Sequence, residues 1–486
     1  MSISSAISNA VSGLTAASRG TEIVSTNIAN ARTEGYARRE LDLSSRIYER
    51  GGGVSIDGVS RMINASLLAD NRLARAQSGA SDAIASFHAA REDEIGTATE
   101  ATSLGSLLTA FDTALTSAAA RPDSDVRLKA VLDAAQTLAS KINGIANGIQ
   151  SARTDAEQTI ANDVSRLNTA LEQVASLNKQ IASLSAQGKD ASSLMDSRQA
   201  TIDKIAEIVP LQQIARDHGQ VALFTTGGAV LLDGTDPARI EFTQAGPIGA
   251  GMSVAAGTLS TLTFNGKELT TTQQAAMFSG GSLSANFAVR DELAPEYQRQ
   301  IDAYARDLYD RISDPALDAT LPTGGPGLFT DAQGAFLATN EIGFANRLTV
   351  SNLVDPASGG QLWRIRAGIN AAGAGDVGES SLLNNLSAAL STSRAPGSSN
   401  MSSSLRTLHS LTAELSSYAA SNRIGSEATA LQNNTHRESL QTALLADGVD
   451  SDKEMETLLA LEAAYSANAK VFQTATDMLD TILRLT

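Results

Sequence analysis

Residues 458–482, LLALEAAYSANAKVFQTATDMLDTI, carry Leu458, Leu461, Tyr465, Asn468, Phe472, Ala475, Leu479 and Ile482 in alternating steps of three and four. Residues 3–28, ISSAISNAVSGLTAASRGTEIVSTNI, repeat the pattern with Ile3, Ile7, Ala10, Leu14, Ala17, Thr21, Val24 and Ile28. This is the spacing of a narrow seam that meets another helix, not of a broad core face. A second stripe, Ala464, Val471, Met478 and Leu485, widens the C-terminal face. A lone helix with such a stripe is marginal in water. Two readings stay open: ordinary amphipathic helices on a globular core, or chain ends that pair with each other or with neighbouring copies. Asn468 favours the second, because a polar residue at a seam position gives up stability to fix register.

Outward from the ends, composition narrows the field. The 486 residues allow two to four domains. Aromatic residues are 4% against 42% hydrophobics, with Trp363 the single tryptophan, so the core is built of small aliphatics. That suits long helices in slender bundles. The net charge of −16 speaks against nucleic acid, which is bound through clustered Lys and Arg, and against docking on anionic lipid. With no cysteine, disulfides, thiolate chemistry and cysteine-ligated zinc are excluded. No stretch reaches the roughly 18 apolar residues of a membrane span. The first charge is Arg19 and no continuous apolar run follows the start, so no cleaved secretory signal is expected.

Along the chain, residues 1–30 read as helix. Leu41, Leu43, Val54 and Ile56 alternate with polar neighbours around Gly51-Gly52-Gly53, which reads as strand, turn, strand. From Asn64 to Ile208 the pattern is helical, broken at Pro122 and again at Gly188, with a clear seam from Ile160 to Leu184. Residues 211–285 turn strand-like, with runs 221–224, 229–232, 259–264 and 267–269. Gly227-Gly228, Asp233-Gly234 and Asn265-Gly266 are turn signals among them. Helix resumes over 287–312. Residues 348–350 and 362–365 are candidate strands, and the Gly-, Ala- and Ser-rich 371–400 is expected to be mobile in part. Helix returns over 402–446 and in the terminal segment. The expected fold is mainly α with inserted β. It comprises a coiled-coil-like terminal domain (1–60 with 448–486), a long-helix body (61–210 with 286–447) and a small β domain (211–285).

Several motifs are familiar. Asn27-Ile28-Ala29-Asn30, then Thr33, Gly35-Tyr36 and Arg38, resembles the signature of bacterial flagellar rod, hook and hook-associated proteins, with Glu34 where that family usually has proline. Gly52 to Val59 with Arg61 is similar to the family's next stretch. The run from Ala464-Tyr465 through Asn468 and Val471 to Met478-Leu479 resembles its C-terminal domain. The long helical block, Leu194-Met195-Asp196 with Arg198, Arg290-Asp291 with Tyr297-Gln298, and Gly448-Val449-Asp450 with Asp452 and Glu454 resemble the hook-associated branch. The resemblance covers both ends and the helical body and says little about 211–285 or 371–400.

The resemblance implies a structural subunit of the flagellum that joins hook to filament. It implies export of the unfolded chain by the flagellar type III route and assembly outside the cell as a ring of copies. Hook protein on one side, a second junction protein on the other and an export chaperone before secretion are the implied partners. A hook or rod subunit of the same family is the nearest rival. Flagellin is disfavoured, because its N-terminal Arg-Leu-Ser-Ser-Gly type of stretch is missing. An intracellular coiled-coil scaffold and a soluble hydrolase are the rivals from outside.

For an enzyme the residues offer little. His88, His218, His409 and His436 are scattered without metal-ligand spacing, and no nucleophile elbow, Walker loop or dinucleotide fingerprint stands in context. Glu92-Asp93-Glu94 reads as a solvated helix face, and Asp233 with Asp236 as a turn rather than a calcium site. No catalytic residue, cofactor or metal is expected. Asn27 and Asn30 suit a helix end, since asparagine tolerates cap and left-handed geometry. Tyr36 and Arg38 read as structural.

Overall fold

The computed structural model describes residues 3–33, 35–46, 52–97 and 99–485. Glu34 and Gly51 lie outside them, as does the Leu485 side chain. Helix α1 (Ile3–Asn30) leads into an antiparallel hairpin of β1 (Arg38–Ser45) and β2 (Val54–Met62), with a bulge between Asp42 and Leu43. Helix α2 (Ala65–Ile95) starts where the Asn64 side chain accepts the Leu67 N–H. It stops at Gly96, whose φ of +85° glycine adopts without strain and where a Cβ would sit 2.8 Å from the Ser103 backbone. This break divides the helical block earlier than Pro122 does, and the sequence reading did not place it. Helices α3 (Leu104–Ala120), α4 (Asp125–Ala186) and α5 (Ser192–Ile208) follow.

Strands β3 (Leu211–Ala215), β4 (Val221–Thr225), β5 (Val230–Asp233) and β6 (Asp236–Pro237) form one antiparallel sheet in sequence order. Strands β7 (Ile240–Phe242), β8 (Leu262–Phe264) and β9 (Lys267–Glu268) form a second. Asn265 and Gly266, both at positive φ, make the two-residue turn the sequence signalled. The strand expected from Leu259 starts only at Leu262. Helix α6 (Thr271–Met277), fixed by a Thr270/Gln273 capping box, was not expected. The helix expected from Phe287 begins at Gly281: α7 (Gly281–Ala288) passes through a π turn at Val289–Leu293 into α8 (Ala294–Ile312).

Strand β10 (Phe329–Asp331) pairs with β11 (Leu348–Val350), with the short helix α9 (Phe344–Arg347) just before β11. Helix α10 (Arg364–Ala367) corrects the strand expected at 362–365. The chain turns back at Gly368, φ +112°, where a side chain would run into Thr320. Helix α11 (Ser381–Ser391) lies within 371–400, where no helix was expected, and buries Leu382, Leu383, Leu386 and Leu390 at helical spacing. Helices α12 (Leu408–Asp447) and α13 (Ser451–Leu485) complete the chain. The fold is mainly α with inserted β, as the sequence reading expected.

Two apolar cores share α4. Its first half packs with α3, α8, α11 and the start of α12 around Phe111, Leu132, Ile142, Tyr304, Phe329 and Leu383. Its second half packs with α5, α7 and the strand segment around Leu167, Leu171, Ile205, Leu223, Leu231 and Leu262. Between the cores lie buried charges. Arg290 meets Glu157 at 2.6 Å and Asp291 at 2.8 Å. Arg153 donates to the carbonyls of Arg290, Gly249 and Met252. Every one of these bonds lowers the cost of holding charge away from water.

Candidate assembly interface at the chain ends

Helices α1 and α13 lie side by side and antiparallel, in a register that repeats every seven residues. A Cβ on Gly13 would come within 2.8 Å of the Asn468 side chain, and one on Gly20 within 2.9 Å of Leu461. One step further, Asn27 bonds Glu454; one step back, Ala6 and Ala475 line the same groove. Small residues on α1 thus form notches for larger ones on α13. The closeness is a packing gain that a bulkier residue would forfeit.

Of the seam residues, Ala10, Ala17, Val24 and Ala475 are buried. Ile3, Ile7, Leu14, Ile28, Leu458, Leu461 and Asn468 are half-buried. Tyr465, Phe472, Leu479 and Ile482 are exposed, together with Val471 and Met478 of the second stripe. Asn468 satisfies itself by donating to the Ala464 carbonyl at 2.9 Å. The pair therefore buries one side of α13 against α1 and leaves a long apolar side in water.

The signature motif joins this pair to the rest of the molecule. Asn27 and Asn30 were read as suiting a helix end, and both sit in the last turn of α1. The Asn27 Oδ1 accepts from the Tyr36 hydroxyl (2.7 Å) and the Arg39 N–H (3.0 Å). Its Nδ2 donates to the Arg39 carbonyl (2.9 Å) and Glu454 (3.0 Å). Glu454, almost wholly buried, also takes Arg38 at 2.6 Å. Asn30, the last residue of α1, donates back to the Thr26 carbonyl and accepts from Thr33 at 3.2 Å. Gly35, φ +79°, lets the chain turn against α5, where a Cβ would touch Ala200 at 3.1 Å. Burial pushes the Tyr36 hydroxyl above its ordinary pKa, and the Arg39 charge partly offsets this.

Arg39 and Arg61 stand directly opposite each other in the hairpin, an arrangement that repels. Asp196 on α5 resolves it, meeting Arg39 at 2.9 Å and Arg61 at 2.6 Å and accepting the Ala37 N–H. Neither Glu454 nor Asp196 was singled out for this role. Glu454 was reachable: it lies one seven-residue step before Leu461 on the same seam. Asp196 carried no local signal beyond the family resemblance. Among the described residues no group of three His, Cys, Asp or Glu is placed to hold a metal, and no helix is long and apolar enough to cross a membrane.

The paired termini and the long-helix body are the segments that known protein families match. The flagella basal body rod protein family matches residues 7–36, the flagellar hook-associated protein FlgK helical domain 92–316, and the flagellar basal body rod FlgEFG protein C-terminal family 440–485. Three models of flagellar rod, hook and hook-associated proteins thus match this chain, at both ends and over its helical body. The chain is 26% identical to flagellar hook-associated protein 1 of Salmonella typhimurium over 241 residues, covering 48% of this chain and 43% of that protein. Against the protein of the same name in Escherichia coli K12 the identity is 25%, over 48% and 44%. Against that of Bacillus subtilis it is 26%, over 43% of each. The match thus spans less than half the length of these relatives. The flagellar hook junction protein FlgK from Burkholderia pseudomallei aligns at a TM-score of 0.43 with 20% identity, over 54% of this chain and 46% of that one.

Proposed function

We propose that this chain is a structural, non-enzymatic subunit of the bacterial flagellum, seated where hook meets filament. The observation that carries the reading is the apolar side of α13, with Tyr465, Phe472, Leu479 and Ile482 in water although α1 already covers the opposite side. Burying one such side chain stabilises by roughly 1.5–3 kcal/mol. Repeated around a ring of copies, this offsets the ordering entropy of the ends. A closed axial ring needs heterologous contacts, because self-complementary patches alone close into dimers.

In this reading the domain of 1–60 with 448–486 lines an inner tube. The body of 61–210 with 286–447 forms the outer layer, and 211–285 projects outward. The chain leaves the cell unfolded by the type III route, without a cleaved signal peptide and escorted by an export chaperone. Hook protein lies on one side and a second hook-associated protein on the other. The hook-associated helical match over 92–316 favours this position over a rod or hook subunit.

The double substitution Phe472→Asp with Leu479→Asp tests the seam. The purified chain should melt as the parent does, while incorporation into flagella and motility are lost. Normal motility in that strain would defeat the assignment. Cells lacking the chain should keep hooks and lose filaments; loss of the hook itself would make it a rod or hook subunit.

A further inference from the structure

The dipeptide Asn-Gly occurs at Asn143-Gly144, Asn147-Gly148 and Asn265-Gly266. Glycine has no side chain to shield its nitrogen and leaves the backbone free to turn, so that nitrogen can attack the preceding side-chain amide. The first two dipeptides lie inside α4, where the glycine N–H is spent on the helix ladder and the backbone is fixed. The third makes the two-residue turn between β8 and β9. Asn265 (φ +50°) and Gly266 (φ +77°) are both exposed there, and the Gly266 N–H donates to nothing among the described residues.

The Asn265 side chain suits the same reaction. Its Oδ1 accepts the Arg239 N–H at 2.8 Å, while its Nδ2 donates to nothing among the described residues. A donor on that oxygen supports negative charge developing there, and the unbonded amide nitrogen is free to leave. Asn147 is a built-in control. It too is exposed, and its Oδ1 accepts from Asn346 at 2.9 Å, so its helical backbone is what sets it apart. Asn143 differs further, because its Nδ2 donates to the carbonyls of Ala345 and Leu348.

We propose that Asn265 is a site of spontaneous covalent modification, deamidating through a cyclic imide while Asn143 and Asn147 persist. The Gly266 nitrogen loses its proton to solvent and bonds to the Asn265 Cγ. The Cγ–Nδ2 bond breaks and ammonia leaves. Water then opens the ring at either carbonyl, giving aspartate or isoaspartate. A water is consumed for each ammonia released, and no oxidant or cofactor enters. Either product places a negative charge in the turn. Isoaspartate also routes the backbone through an extra methylene, which misfits the tight turn joining Phe264 to Lys267.

The test uses the purified full chain, incubated in mildly alkaline buffer. Tandem mass spectrometry follows the peptides carrying the three dipeptides, and isoaspartyl methyltransferase is the probe for isoaspartate. Asn265 is expected to convert at least about tenfold faster than Asn147, because reaction in the helix first requires local opening. In urea the three rates should converge, since all three share the glycine that permits attack. Asn265→Asp has no amide to lose and should abolish the mass gain in its peptide; a gain that persists would move the reaction to Gln244 and overturn the site. Equal rates at Asn265 and Asn147 in the folded chain would also overturn it. So would an Asn265 that stays intact, or a rate ratio that survives in urea.

Discussion

The far half of α4 and the length of α13 carry the same alternation of apolar residues, yet meet opposite surroundings. On α4, Val164, Leu167, Leu171, Val174 and Ile181 are closed over by α5, α7 and the strands. On α13, Tyr465 and Ile482 are each 49% exposed, Leu479 41% and Phe472 38%. Period therefore tells that a face is made to be covered, not what covers it. The body draws cover from both halves of one chain; the ends draw half of theirs from each other and leave the remainder open.

The sharpest test of that contrast lies between the two cores. Arg290→Met strips Glu157 of its cation where neither is exposed, and should cost about 3–5 kcal/mol in urea unfolding. Leu479→Asp, on an open face, should leave the same transition within about 0.5 kcal/mol. Comparable losses from the two would erase the distinction between body and ends.

A smaller effect distinguishes the body by pH. Burial pushes the Asp302 carboxyl up to about 6, although it accepts from the N–H groups of Gly343 and Ala345 and from Gln298. The folded chain then holds a proton that the unfolded chain releases. The stability from this group is full below about pH 4 and lost as pH rises through about 6. Measured against Asp302→Asn, the parent should lose about 2–3 kcal/mol between about pH 4 and pH 7. A flat difference would mean that the carboxyl is hydrated.

The mildest change acts on the ends alone. Asn27→Ala leaves the Tyr36 hydroxyl and the Arg39 N–H without their acceptor, at a cost of about 1–2 kcal/mol. Hydrogen exchange should accelerate in α1 and α13 while 125–186 stays protected. Equal acceleration in α4 would show that the ends and the body open as one unit.

Much of this was legible in the sequence, wherever a local period or turn carried the signal. Helices α1, α4, α5 and α13 follow from spacing, and the β8–β9 turn from Asn265-Gly266. Where composition was weighed above period, the reading failed. The Gly-, Ala- and Ser-rich 371–400 hid Leu382, Leu383, Leu386 and Leu390, which already had the spacing of α11. Leu362–Ile365 looked like a strand because short apolar runs do not distinguish strand from helix; Gly368 decided it. The role of Asn27 was illegible for another reason. Its partner Glu454 lies at the opposite end of the chain, and only the seven-residue register of the two seams, once they are paired, brings the two together.

Asp196 gives the hairpin a mechanical character. One carboxylate grips both strands, through Arg39 on β1 and Arg61 on β2, so the ribbon cannot swivel about either strand alone. Twist applied at the paired termini would reach the long helices as rotation of the whole subunit. In the flagellar position proposed for this chain, such a fitting would conduct torque instead of absorbing it.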